Sequence, residues 1–137
     1  MSRLLLDTHA AIWLVEGQTL SNQAMEVLAT ATANQEDAFV SPMTAWEIGM
    51  LSARGRIRMP LTPLLWFDRL IASPGIALAD LSARVLIASS FLPGSPPRDP
   101  MDRILVATAR ENDYHLVTRD KELLDYAAQG YVKAVAC

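Results

Sequence analysis

The sequence predicts an α/β domain built on a short parallel sheet of about four to five strands flanked by helices. Two observations carry this. Short apolar runs typical of strands buried on both faces alternate with longer stretches of helical character. Capping residues and prolines punctuate the boundaries between them. The chain has 137 residues, 51% of them hydrophobic, and a net charge of −3. That is enough for one domain with a sizeable core, spanning residues 1–137, and too little for two ordinary ones.

Arg3–Leu6 reads as the first strand, followed by a helix over Thr8–Val15 that stops near Gly17. Ser21 is the N-cap of a second helix running to about Ala33. Ala38–Val40 is a second strand. Ser41-Pro42 pairs an N-cap with proline at the first helical position, so a third helix starts there and ends near Gly55. Pro63–Ile71 is helical, Pro74-Gly75 turns, and Ile76–Leu78 is a third strand. Ser82–Phe91 is read as helix and Leu92–Pro97 as loop. Asp99-Pro100 opens a helix through Asn112. A strand over His115–Thr118, a helix over Lys121–Tyr126 and a strand over Val132–Val135 complete the chain.

A net negative charge argues against binding driven by phosphate neutralisation alone, and against sequence-specific DNA binding by this chain. The single cysteine, Cys137, provides neither an internal disulfide nor a zinc site. The apolar run Leu4-Leu5-Leu6 ends at Asp7, too short for a membrane span or a signal-peptide core. A cytoplasmic location is expected.

Four carboxylates stand out. In parallel sheets ligands bind beyond the carboxyl ends of the strands, and Asp7 and Asp120 fall at two such ends. Either aspartate also suits a helix N-cap, and Thr8 is an alternative cap beside Asp7. Glu47 lies about six residues into its helix, too deep to cap. It is expected to share a face with Met43, Trp46, Met50 and Leu51, with an ion pair to Arg54 as the competing explanation. Asp99 is the natural N-cap of its helix. Asp102, three residues on, suits both the helix dipole and a shared pocket. Asp102 is the chosen site residue and Asp99 an additional candidate ligand. Thr118 is a candidate hydroxyl ligand or orienting group.

Two unit charges about 4 Å apart repel by roughly 1 kcal/mol in water and about 4 kcal/mol at an effective dielectric of 20. Four carboxylates in one pocket therefore call for a proton or a divalent cation. All-oxygen donors favour Mg²⁺ or Mn²⁺ over zinc, and phosphodiester cleavage is the matching chemistry. His9 is a candidate substrate contact, and Arg54, Arg56 and Arg58 are expected to be a solvated loop. His115 is expected to be a strand residue with a satisfied ring. Trp13, Trp46 and Trp66 are expected in core or interface.

The segments Leu5-Leu6-Asp7-Thr8-His9-Ala10, Ala45-Trp46-Glu47-Ile48, Arg98-Asp99-Pro100-Met101-Asp102-Arg103 through Ala109, and Leu116-Val117-Thr118-Arg119-Asp120 together resemble the PIN-domain proteins. Within them the similarity is to the VapC-type toxins of bacterial toxin–antitoxin pairs. The resemblance implies a PIN-like three-layer fold and a Mg²⁺- or Mn²⁺-dependent endoribonuclease. It carries Asp7, Glu47, Asp102 and Asp120 over as the acidic site, with Asp99 as the extra acid of an Asp-Pro-x-Asp-Arg motif. Thr8 joins the secondary candidates, and Arg98 and Arg103 are weaker substrate-binding candidates. Met101 stands where these toxins often have phenylalanine. A homodimer and a small antitoxin that blocks the site are also implied. Two enzyme classes with an aspartate after the first strand fit less well. A phosphatase of that kind needs a second aspartate where His9 stands, and a phosphoacceptor receiver needs adjacent acids there. An inert interaction module of the same fold remains a rival.

Overall fold

The computed structural model describes residues 3–137. The elements run β1 (Arg3–Leu6), α1 (Thr8–Val15), α2 (Asn22–Ala33), β2 (Ala38–Val40), α3 (Pro42–Ala53), α4 (Pro63–Ala72), β3 (Ile76–Leu78), α5 (Ala83–Ala88), α6 (Pro100–Asn112), β4 (Tyr114–Thr118), α7 (Lys121–Ala128) and β5 (Lys133–Ala136). Local chemistry explains most boundaries. Ser21, Ser41 and Thr62 cap α2, α3 and α4 through their hydroxyls, and Pro42, Pro63 and Pro100 sit in the first turns of their helices. Gly17 and Gly55, just past α1 and α3, adopt φ of +72° and +68°, the left-handed conformation that glycine reaches without steric cost.

One expected helix is shorter than its sequence suggests. α5 ends at Ala88 instead of reaching Phe91. The Ser89 hydroxyl donates to the Leu86 carbonyl, and the amides of Ser90 and Phe91 bond three residues back. A serine that offers the backbone a competing partner favours such an ending. The last two strands and α7 differ from their expected limits by one or two residues.

The five strands lie in the order β3-β2-β1-β4-β5, and every neighbouring pair is parallel. Side chains alternate across the sheet and build a core on each face. Leu4 and Leu6 join one cluster with Ala10 and Ala11 of α1, Ala24 of α2, Ile48 of α3 and Trp66 of α4. Leu5 joins the other with Leu105 and Val106 of α6 and Leu123 and Tyr126 of α7. This is a helix–sheet–helix sandwich of three layers.

Strand order reverses around β1. The chain moves outward through β2 and β3 on one side, then returns to place β4 and β5 on the other. The crevice beyond the carboxyl ends of β1 and β4 is therefore the topological switch point, the general ligand site of open parallel sheets. Leu6 pairs with Val117 in register, so Asp7 and Thr118 emerge side by side at that edge.

Candidate functional site

Asp7 is buried at the end of β1 and caps α1. Its Oδ1 accepts from the Ala10 amide at 2.7 Å, and its own amide donates to the Val117 carbonyl at 3.1 Å. The Thr118 hydroxyl donates to Asp7 Oδ2 and accepts from the Asp120 amide at 3.0 Å. Asp120 Oδ1 accepts from the Leu123 amide at 3.0 Å and caps α7. Asp99 caps α6 by accepting from the Met101 amide at 2.8 Å. Three aspartates thus cap three helices whose N-termini face one cleft. Capping and site-lining coexist because an N-cap uses one carboxylate oxygen for the backbone. Thr8 is not the cap of α1. It is the first residue of that helix, buried, and its hydroxyl bonds the Thr44 hydroxyl of α3 at 3.3 Å.

The cleft holds about 350 Å³ and is lined by Asp7, Thr8, His9, Trp13, Glu47, Asp99, Asp102, Leu105, Arg119 and Asp120. Glu47 is half-buried, but its surroundings differ from those expected. The buried residues of α3 are Thr44 and Ile48, whereas Trp46 is 56% exposed. Glu47 therefore sits at the margin of the buried stripe and faces the cleft. No Glu47–Arg54 ion pair forms among the described residues; Arg54 is exposed at the C-cap of the helix.

Electrostatics in the cleft is unfavourable to an empty set of carboxylates. The Asp102 carboxyl is pushed up to about 7, first by burial and then by Asp99, Asp120, Glu47 and Asp7. Burial also raises Asp7, partly offset by its bonds from Thr118 and Ala10 and by His9. Among the described residues no three acidic, histidine or cysteine side chains are already drawn into a ligand cluster. The donor set is all-oxygen and acidic, with Asp7 and Asp102 raised in proton affinity, and its chemistry suits a hard divalent cation such as Mg²⁺ or Mn²⁺.

Two candidate arginines stand apart from the cleft lining. Arg98 is exposed. Arg103 donates from Nε to the Ser89 carbonyl at 2.9 Å and from Nη1 to the Pro97 carbonyl at 3.2 Å, which ties the segment after α5 to α6. Arg54, Arg56 and Arg58 are exposed, as a solvated loop would have them. His115 corrects another expectation. Its Nδ1 is buried and, among the described residues, has no hydrogen-bond partner. Burial holds its pKa below the usual histidine range, in keeping with a neutral ring.

Sequence reasoning missed Arg119, which lines the cleft, whereas Trp13 packs against the core as expected and also lines the cleft. Trp66 is core, but Trp13 is only half-buried and lies beneath Arg119, whose guanidinium carbon is 4.0 Å from the ring centroid. Weak signals existed for both. Arg119 stands between two nominated residues, Thr118 and Asp120, and Trp13 follows His9 by four positions, on the same helical face.

Fold and site together define an α/β protein with a carboxylate-lined cleft at the switch point of a parallel sheet. Residues 4–129 match the PIN domain, and the chain belongs to that family. Its VapC-type character follows from its similarity to Ribonuclease VapC22 of Mycobacterium tuberculosis (strain ATCC 25618 / H37Rv), 32% identical over 124 residues that cover 90% of this chain and 91% of the relative. The fold is similar to VapBC2 from Rickettsia felis, solved bound to a DNA fragment from their promoter, with a TM-score of 0.66, 11% identity and 97% of each chain covered. It is also similar to DNA-bound VapBC from Salmonella typhimurium, with a TM-score of 0.62, 14% identity, and 99% and 98% covered.

Proposed function

We propose that this protein is a Mg²⁺- or Mn²⁺-dependent endoribonuclease, the toxin of a toxin–antitoxin pair, and that the unit spanning 1–137 carries the activity. The observation that carries the reading is the shared cleft. Asp7 and Asp120 from two strand-to-helix turns, Glu47 from α3 and Asp102 from α6 line one cavity at the switch point. The similarity to a ribonuclease over nine-tenths of the chain supports the substrate class.

In this reading the four acids hold the cation, with Asp99 as an additional ligand. When bound, the cation supplies Lewis-acid stabilisation of phosphate charge and a more acidic attacking water. The remaining work belongs to the protein. Thr118 fixes the Asp7 carboxylate and aligns the turn into Asp120 with one hydroxyl. The amides of Ala10, Met101 and Leu123 each hold one aspartate oxygen, which orients the other. Water is the nucleophile and no side chain is; it attacks phosphorus as the P–O3′ bond breaks, and the 3′-oxygen leaves and takes up a proton, giving a 5′-phosphate and a 3′-hydroxyl. An antitoxin that blocks the cleft, a homodimer, a cytoplasmic setting and the absence of sequence-specific DNA binding by this chain complete the proposal. Among the described residues, no helix is long and apolar enough to cross a membrane.

The test is incubation of the purified protein with total cellular RNA, with and without magnesium, beside the Asp7→Asn variant, with the cut ends mapped. Cleavage that needs both magnesium and Asp7 is expected. Its absence overturns the activity, and 2′,3′-cyclic phosphate ends overturn the water mechanism by pointing to attack from the RNA's own 2′-hydroxyl.

A further inference from the structure

The structure assigns Arg119 as the residue that grips a phosphate of the RNA strand, with Trp13 as the residue that positions it; this rests on the endoribonuclease reading above. A polyanion entering a cleft lined by five carboxylates meets repulsion beyond the bound cation. Arg119 is the one permanently charged cation among the residues lining that cleft.

Arg119 Nε donates to the Cys137 main-chain oxygen at 2.8 Å, and its guanidinium carbon lies 4.0 Å from the Trp13 ring centroid. Among the described residues Arg119 pairs with no aspartate or glutamate despite the acids around it; its guanidinium also interacts with the Cys137 thiol. Arg103 instead uses both Nε and Nη1 on backbone carbonyls. Trp13 stands over α1 beside His9, with ring centroids 5.7 Å apart. Its ring holds the guanidinium at the cleft. A planar guanidinium matches the bidentate geometry of a phosphate.

The experiment uses the full chain and a labelled RNA oligonucleotide spanning a cut site mapped from total-RNA digestion. Arg119→Ala is expected to raise KM about tenfold, the scale of a lost charge-assisted contact, with kcat within about threefold. The slope of log(kcat/KM) against log[KCl] should become shallower by about 0.7, one single-strand phosphate contact. Arg119→Lys should recover the salt slope but only part of the KM. Trp13→Ala should raise KM, and Trp13→Phe, which keeps a ring under the guanidinium, should restore it. Circular dichroism melting checks folding, and Arg119→Gln takes the place of the alanine variant if that chain does not fold. Unchanged KM and salt slope on removing the Arg119 charge overturn the inference while the nuclease reading stands. Wild-type protein that cuts no RNA with magnesium overturns both.

Discussion

The Thr118 hydroxyl donates to the Asp7 carboxylate across the β1–β4 boundary. The same oxygen accepts the Asp120 amide, so one buried side chain couples the first acidic residue to the last. This bond also opposes the effect of burial on Asp7, because it favours the charged form.

Thr118→Val keeps the shape and removes both bonds. It leaves an Asp7 oxygen and the Asp120 amide without their partner, at an expected cost of about 1–3 kcal/mol. RNA cleavage should fall by roughly tenfold or more, with the activity midpoint on the acidic limb moved to higher pH as Asp7 becomes harder to ionise. Thr118→Ser should retain most of both properties. Thermal unfolding and a pH–rate profile make the comparison; a valine variant with wild-type stability and profile would remove Thr118 from the site.

The raised pKa of Asp102 makes cation-free stability depend on pH. The unfolded chain releases this proton near 3.8, whereas the folded protein holds it to about 7. The protonated carboxyl therefore contributes stability that is fully present below about pH 4 and is lost as pH rises through 7. Asp7 shifts in the same direction. In EDTA, the melting-temperature difference between Asp102→Asn and wild type should grow in favour of the variant from pH 4 to 8, reaching a few degrees. Partial exposure of the carboxyl screens the effect below its full linkage value. Magnesium should raise the wild-type melting temperature more at pH 8 than at pH 5, because protons compete for the same oxygens. A pH-independent difference between the two proteins would show that Asp102 does not carry this strain.

Much of this was legible because it rests on local chemistry. Serine, threonine and aspartate caps set the helix starts, and the unbroken Leu4-Leu5-Leu6 run required a strand covered on both faces. Asp7, Asp99 and Asp120 were harder to weigh, because capping and site-lining looked like alternatives until the two carboxylate oxygens could be assigned separately. The environment of Glu47 was misread, since the buried stripe of α3 is set by what packs against it and not by apolar content. Trp46 is exposed for that reason. The Arg119–Trp13 stack joins opposite ends of the chain, and no local pattern encodes it. His115 was read as satisfied because a strand position does not reveal whether a ring nitrogen finds a partner.

Glu47 separates function from architecture most cleanly. Unlike Asp7, Asp99 and Asp120, it caps nothing, and the structure shows no hydrogen bond to its carboxylate among the described residues. It does raise the proton affinity of both Asp7 and Asp102. Glu47→Gln should therefore leave stability unchanged or raise it by a few tenths of a kcal/mol, since it relieves repulsion in a partly solvated cleft. RNA cleavage should fall by about a hundredfold or more, the scale seen when a preorganised charge-stabilising group is removed. Asp7→Ala should differ by losing both properties, because the α1 cap alone is worth about 1 kcal/mol. Melting curves and RNA cleavage measured on the two variants together test the distinction. If Glu47→Ala keeps full toxicity when the gene is induced, with folding intact, the cleft acids are caps and charges on an inert interaction module, and the nuclease proposal falls.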